Sequence, residues 1–217
     1  MPWISAWNFF RRRILILNPN KIIKALYRAV FTVIISLACV CSVSAAAEEI
    51  QKGYVRIVLP DGSVYEGNFL EGEFDGKGVL VLENGNNYEG DFLGGLPHGK
   101  GVLVWANGNR YEGDFKNGFP NGKGTFMWKN GDRYTGQIRA GLPNGHGEAL
   151  WHGGDRYEGD FRAGLPEGNG VAVWENGDKY EGDFKKGLPH GRGIFTGSDG
   201  DRLEGMFVGG QFRREGG

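Results

Sequence analysis

The sequence predicts an all-β protein: an elongated single-layer sheet of stacked 23-residue β-hairpins, preceded by one N-terminal hydrophobic helix. Three observations predict it. Tyrosine recurs every 23 residues at Tyr65, Tyr88, Tyr111, Tyr134, Tyr157 and Tyr180, with Leu203 in the seventh place. Glycine supplies 40 of the 217 residues, and all of them follow residue 47, a density that disfavours helix interiors. Fourteen Phe, eight Tyr and six Trp are too many aromatics for a flexible linker, and the Gly-X-Y period of collagen is missing. A fixed repeat without insertions means an array in which each unit buries its face on its neighbours.

Residues 1–47 stand apart. They carry six cations (Arg11, Arg12, Arg13, Lys21, Lys24, Arg28) and no carboxylate, and residues 29–43 form an uncharged apolar run. Ser44, Ala45, Ala46 and Ala47 follow, so basic region, apolar region and small residues spell a signal peptide cleaved after Ala45 or Ala47. The alternative is an N-terminal membrane anchor formed by residues 29–47, with the basic end in the cytoplasm. Both place the rest of the chain on the periplasmic or extracellular side. Cys39 and Cys41 lie within the run, which leaves the rest of the chain no disulfide and no thiolate metal site.

The remaining elements follow in order. Residues 48–64 form an N-terminal capping strand, 65–202 six repeats, and 203–217 a degenerate last repeat and tail. Within a unit, Tyr-Glu-Gly-Asp-Phe (residues 88–92) alternates in the period-two pattern of a strand with two unlike faces. Gly-Leu-Pro-His-Gly (95–99) is expected to be a loop, because Pro and Gly break strands. Val102-Leu103-Val104-Trp105 then makes a second short strand, and Asn107-Gly108 a hairpin turn into the next tyrosine.

The turn sets the register. A two-residue turn pairs Tyr111 with Val104 and throws Trp105 to the opposite face. A three-residue loop ending in left-handed glycine pairs Leu103 with Tyr111 and Gly101 with Gly113. Because a slip of one residue exchanges the faces, the apolar pattern selects the second arrangement. It gathers Tyr, Gly, Phe, Leu and Trp on one side, leaves Arg110, Glu112 and Asp114 on the other, and sets facing glycines as a trough for the aromatic rings.

Tyr-Glu-Gly-Asp-Phe, Gly-Leu-Pro-His-Gly-Lys-Gly and the Asn-Gly turn at a 23-residue period resemble the MORN (membrane occupation and recognition nexus) repeat family over residues 53–212. The resemblance implies a twisted single-layer sheet of hairpins with a groove. It also implies scaffolding, dimerisation and an affinity for membrane lipids.

Two rows run across the predicted sheet. Trp105, Trp128, Trp151 and Trp174 recur in four consecutive units beside Tyr88, Tyr111, Tyr134, Tyr157 and Tyr180. This aromatic row either fills a glycine-rich face or offers a binding platform. Arg110, Arg133, Arg156, Lys179 and Arg202 form a basic row between acidic ones, which makes a solvated cross-strand charge ladder rather than a phosphate track. After residue 47 there are 19 basic against 26 acidic residues, so nucleic acid is not an expected partner. His98, His146, His152 and His190 show no metal-ligand spacing, and no nucleophile–base set converges.

The expectation is a non-enzymatic exported scaffold with no cofactor, no metal and no catalytic residues. It binds an unidentified protein partner or itself, as a homodimer, at a membrane or cell envelope. The alternatives are a module that associates with membrane lipid and one that binds an envelope glycan through the Trp row.

Overall fold

The computed structural model describes residues 52–214. The signal or anchor segment, its helix, both cysteines and the last three residues of the tail lie outside the described residues. Among the described residues the elements are all strands: β1 (Lys52–Val58), β2 (Val64–Leu70), β3 (Glu73–Val81), β4 (Asn87–Leu93), β5 (Leu96–Val104), β6 (Arg110–Lys116), β7 (Phe119–Met127), β8 (Arg133–Arg139), β9 (Leu142–Leu150), β10 (Arg156–Arg162), β11 (Leu165–Val173), β12 (Lys179–Lys185), β13 (Leu188–Thr196), β14 (Arg202–Val208) and β15 (Gln211–Arg213). They form one open sheet in chain order, and the paired strands run antiparallel. Contacts divide the chain into two units. One holds the described residues up to Lys129 with Arg139–Gly141, the other Asn130–Ile138 and Leu142 onward.

In the first unit the register is the one the apolar pattern selects, with Gly101 opposite Gly113 and Leu103 opposite Tyr111. The β5–β6 turn is a three-residue loop. Trp105 N–H donates to Asn109 O at 2.9 Å and Gly108 N–H to Trp105 O at 2.8 Å, with Gly108 at φ 87°. Glycine closes this loop because a left-handed residue with a Cβ costs about 1–2 kcal/mol.

The other turn corrects the sequence reading. Gly95–Gly99 is not a loop: the turn is Gly94-Gly95 alone, and Leu96–Val104 is one nine-residue strand with Pro97 inside it. The same holds for β7, where Asn117 (φ 50°) and Gly118 (φ 82°) form the turn and Pro120 faces Phe115. A β-bulge makes this compatible with pairing. Between Gly113↔Gly124 and Phe115↔Pro120, two residue steps on β6 answer four on β7. Gly122 sits in the extra length at φ 125°. The bulge interrupts the ladder next to the proline, where its missing N–H is tolerated.

Tyr65, Leu80, Tyr88, Phe92, Leu103, Tyr111, Phe115 and Phe126 are buried on one face of this unit. The hydroxyl of Tyr65 donates to Asn68 O at 2.6 Å, and its ring lies over Gly78. A Cβ on Gly78 would stand 2.5 Å from that hydroxyl, so the facing glycines do form the trough expected. Phe74 stacks on Tyr65 at 3.7 Å between centroids, and Phe92 meets it edge-on at 5.2 Å.

The second unit repeats the scheme around Tyr134, Ile138, Trp151, Tyr157, Phe161, Trp174, Tyr180, Phe184 and Phe207. Its last hairpin is short, as the degenerate repeat requires. β15 pairs only with Met206–Val208, and Phe212 stands where the second to sixth repeats carry proline, 5.3 Å from Phe207.

Candidate functional site

The aromatic row is built into the sheet. Trp105, Trp151 and Trp174 retain 8%, 3% and 7% of their surface, while Trp128 is half-buried. Tyr88, Tyr111, Tyr134, Tyr157 and Tyr180 are buried, each with its hydroxyl donating to the carbonyl three residues on (Asp91, Asp114, Gln137, Asp160 and Asp183). Burial is the main reason the Tyr65 hydroxyl is pushed up to about 12, and those of Tyr88, Tyr134, Tyr157 and Tyr180 further still. Of the four tryptophans only Trp128 is more than marginally exposed, so the row is not a succession of open rings.

The opposite face is open. Within the first unit Val58 (64%), Val81 (44%) and Val104 (37%) are exposed, with Val64 paired to both Val58 and Val81. In the second, exposed Leu150 faces Arg156 across β9 and β10. The basic row lies on this face, but its ion pairs run along the strand rather than across it. Arg110 meets Glu112 at 2.6 Å, Lys179 meets Glu181 at 2.9 Å, and Arg202 meets Glu204 at 2.7 Å. Cross-strand pairs come from other cations: Lys77–Asp91 at 2.7 Å and Lys100–Asp114 at 2.6 Å, both between directly opposed residues.

Sequence reasoning missed the role of those aspartates. The Asp114 carboxylate also accepts the Lys123 N–H at 2.7 Å, and Asp91 accepts the Lys100 N–H at 2.9 Å. Each caps an amide that the bulge leaves without a ladder partner. Lys77 beside Asp91 and Lys100 beside Asp114, each helped by the capped amide, hold both carboxyls below the usual range.

It also missed a ladder along the three-residue turns. Asn86 accepts Ala106 N–H at 3.0 Å and Asn109 accepts Lys129 N–H at 3.1 Å. In the second unit Asp132 accepts His152 N–H, Asp155 that of Glu175, and Asp178 that of Ser198, all within 3.0 Å. The signal was available: Ser, Asn or Asp fills the place two before every repeat tyrosine, from Ser63 to Asp178. The two-residue turns are tied through the backbone, as in Gly118 N–H to Pro97 O at 2.8 Å and Gly187 N–H to Pro166 O at 2.8 Å.

His146 lies 3.6 Å from Asp160, and among the described residues no cluster of His, Cys, Asp and Glu has metal-binding geometry. No helix among the described residues is long and apolar enough to cross a membrane.

An open antiparallel sheet of hairpins, with a side-chain cap recurring every 23 residues, defines a β-hairpin repeat protein. The MORN repeat family model matches residues 65–87, 88–110, 111–133, 134–156, 157–179 and 180–202, and the chain belongs to that family. No curated protein sequence matches it. Among solved structures it is similar to the TCP domain of Drosophila melanogaster SAS-4 (dCPAP) in complex with a proline-rich motif of Ana2 (dSTIL), at 11% identity and TM-score 0.45 over 76% of this chain and 96% of that one. The G-box domain of the microcephaly protein CPAP follows at 17% identity and TM-score 0.23, over 72% of this chain and 100% of that one. Virginiamycin B lyase from Staphylococcus aureus shows 13% identity and TM-score 0.18, over 72% of this chain and 56% of that one. Similarities of this size say nothing about function. The MORN repeats themselves suggest a repeat-based scaffold that binds proteins.

Proposed function

We propose that this chain is a non-enzymatic scaffold, exported by its N-terminal segment, that holds a protein partner or a second copy of itself at a membrane or cell envelope. The observation that carries the reading is the uncovered face of a single-layer sheet. Val58, Val81 and Val104 are exposed there, although valine on a strand ordinarily packs against something. The buried aromatic face supplies rigidity, and the open face supplies the contact. Export or anchoring rests on the basic, apolar and small-residue pattern of residues 1–47.

The experiment places a photo-crosslinking amino acid at Val81, Val104 or Leu150 of the full-length chain in its own cells. Discrete protein adducts at these positions are expected, and their absence at the more buried Leu80 and Leu103. Adducts confined to lipid would replace the scaffold with a membrane-associating module. The intact mass of the native protein in soluble and membrane fractions tests the N-terminal segment. A soluble species beginning at Ala46 or Glu48 means cleavage, and a full-length species in the membrane fraction means an anchor.

A further inference from the structure

The cations of the second unit divide into two kinds. Two cations of the basic row are matched, Lys179 by Glu181 and Arg202 by Glu204. Arg162 and Lys185 are not. Each is the last residue of its strand before a two-residue turn, each is exposed, and neither forms an ion pair among the described residues. Across the turn each faces a half-buried leucine, Arg162 opposite Leu165 and Lys185 opposite Leu188. Glu167 lies beside this rim but turns its carboxylate to the Lys186 N–H at 2.8 Å.

The rim is rigid as well as charged. Gly164 N–H donates to Pro143 O at 2.9 Å and Gly187 N–H to Pro166 O at 2.8 Å, so successive turns are locked to one another. Equivalent turns are separated by two strands, about 9.6 Å. Three residues of extended chain span about 10 Å and one turn of polyproline II about 9.3 Å. An extended peptide lying across the turns therefore brings every third side chain to the same point of each repeat.

We propose that this rim binds an extended acidic peptide with a carboxylate at every third residue, paired to Arg162 and Lys185, and apolar side chains between them on Leu165 and Leu188. The assignment rests on the scaffold reading and names the chemistry of its partner. A narrow chain suits the site better than a broad anionic surface. Glu158, exposed on the same strand as Arg162, would repel an anionic surface reaching past the rim.

The test uses the full-length chain in neutral detergent and a fluorescein-labelled (Glu-Pro-Val)6 peptide, read by anisotropy at low salt. At least about tenfold weaker binding is expected for (Gln-Pro-Val)6, and a similar loss for Arg162→Ser/Lys185→Ser. Lys179→Ser/Arg202→Ser removes the same charge from two ion-paired positions and is expected to change affinity less than about twofold. Glu167→Gln is expected to tighten binding about twofold. Equal binding of the two peptides, equal losses in the two double variants, or equally tight binding of single-stranded (dT)18 through the same residues would overturn the assignment. Such a failure, with protein crosslinks still forming at Val81, Val104 or Leu150, ends the rim assignment and leaves the scaffold standing.

Discussion

Gly78→Ala tests how the sheet is held together. Gly78 is not in the left-handed region, so alanine strains no backbone torsion there; the cost is steric. The new Cβ would lie 2.5 Å from Tyr65 Oη and 2.7 Å from its Cε2, against about 3.5 Å for an unstrained contact. The ring must retreat by about 1 Å to reach that separation. It has little room to do so, because Tyr65 is fully buried, with Phe74 at 3.7 Å and Phe92 at 5.2 Å. Retreat also pulls the hydroxyl from Asn68 O at 2.6 Å. Overpacking costs about 1–3 kcal/mol and the strained hydrogen bond about 1 more, so a loss of about 3 kcal/mol is expected. Hydrogen exchange by mass spectrometry is the assay of choice, since a repeat array opens unit by unit and a global midpoint hides local loss. Protection should fall across β2 and β3 and persist in β11–β13. Glu89→Ala, at an exposed position of β4, is the control and should change protection by less than about 0.5 kcal/mol. Protection in β2 and β3 equal to wild type would refute the idea that ring-on-glycine contact sets the hairpin geometry.

Other perturbations probe the remaining parts. Asp114→Ala should cost about 1–2 kcal/mol by orphaning the Lys123 amide, read as faster exchange at Lys123 than in wild type. Native Asp91 and Asp114 titrate below the ordinary carboxylate value. The stability they contribute is therefore present above about pH 4 and is lost as pH falls through their lowered values. Acid denaturation of Asp91→Asn/Asp114→Asn should accordingly be shallower there. The buried tyrosines work in the opposite sense at high pH. With Tyr65 pushed up to about 12, stability is complete below the ordinary value near 10 and declines as pH rises toward the native one. Tyrosinate absorbance should thus rise together with loss of sheet, and an early, fold-preserving rise beyond the two tyrosines outside the repeats, Tyr27 and Tyr54, would contradict the trough. Asp178→Ala should release the Ser198 amide and the Asn176 side chain at a cost of about 1–2 kcal/mol, whereas Asn176→Ala should cost less, because the cap on Ser198 survives.

Much of the fold was legible because its determinants are local and periodic. The tyrosine period, the choice of a three-residue turn at Asn107-Gly108 and the pairing of Leu103 with Tyr111 all follow from which residues must share a face. The strand containing Pro97 was not legible, because proline reads locally as a breaker. Only the bulge opposite Asp91, a matter of pairing between strands, makes room for it. The aromatic row was legible as a row, with a filled face and a binding platform both open; how deeply it is buried depends on how closely neighbouring hairpins approach, which facing glycines permit and sequence spacing does not measure.

By itself, then, the sequence determined the repeat, the register and the division of each strand into an apolar and a charged side. Period-two and period-23 patterns encode these directly. Tertiary structure decided which polar groups serve the next repeat. Asn109 reaches Lys129 and Asp114 reaches Lys123 and Lys100. It also decided that Lys179 is matched along its own strand while Arg162 and Lys185 stand unmatched at the rim. The physical reason is that hydrogen bonds and ion pairs depend on separations of a few ångströms across strands, and residues 9–20 apart in sequence acquire those separations only when the hairpins stack.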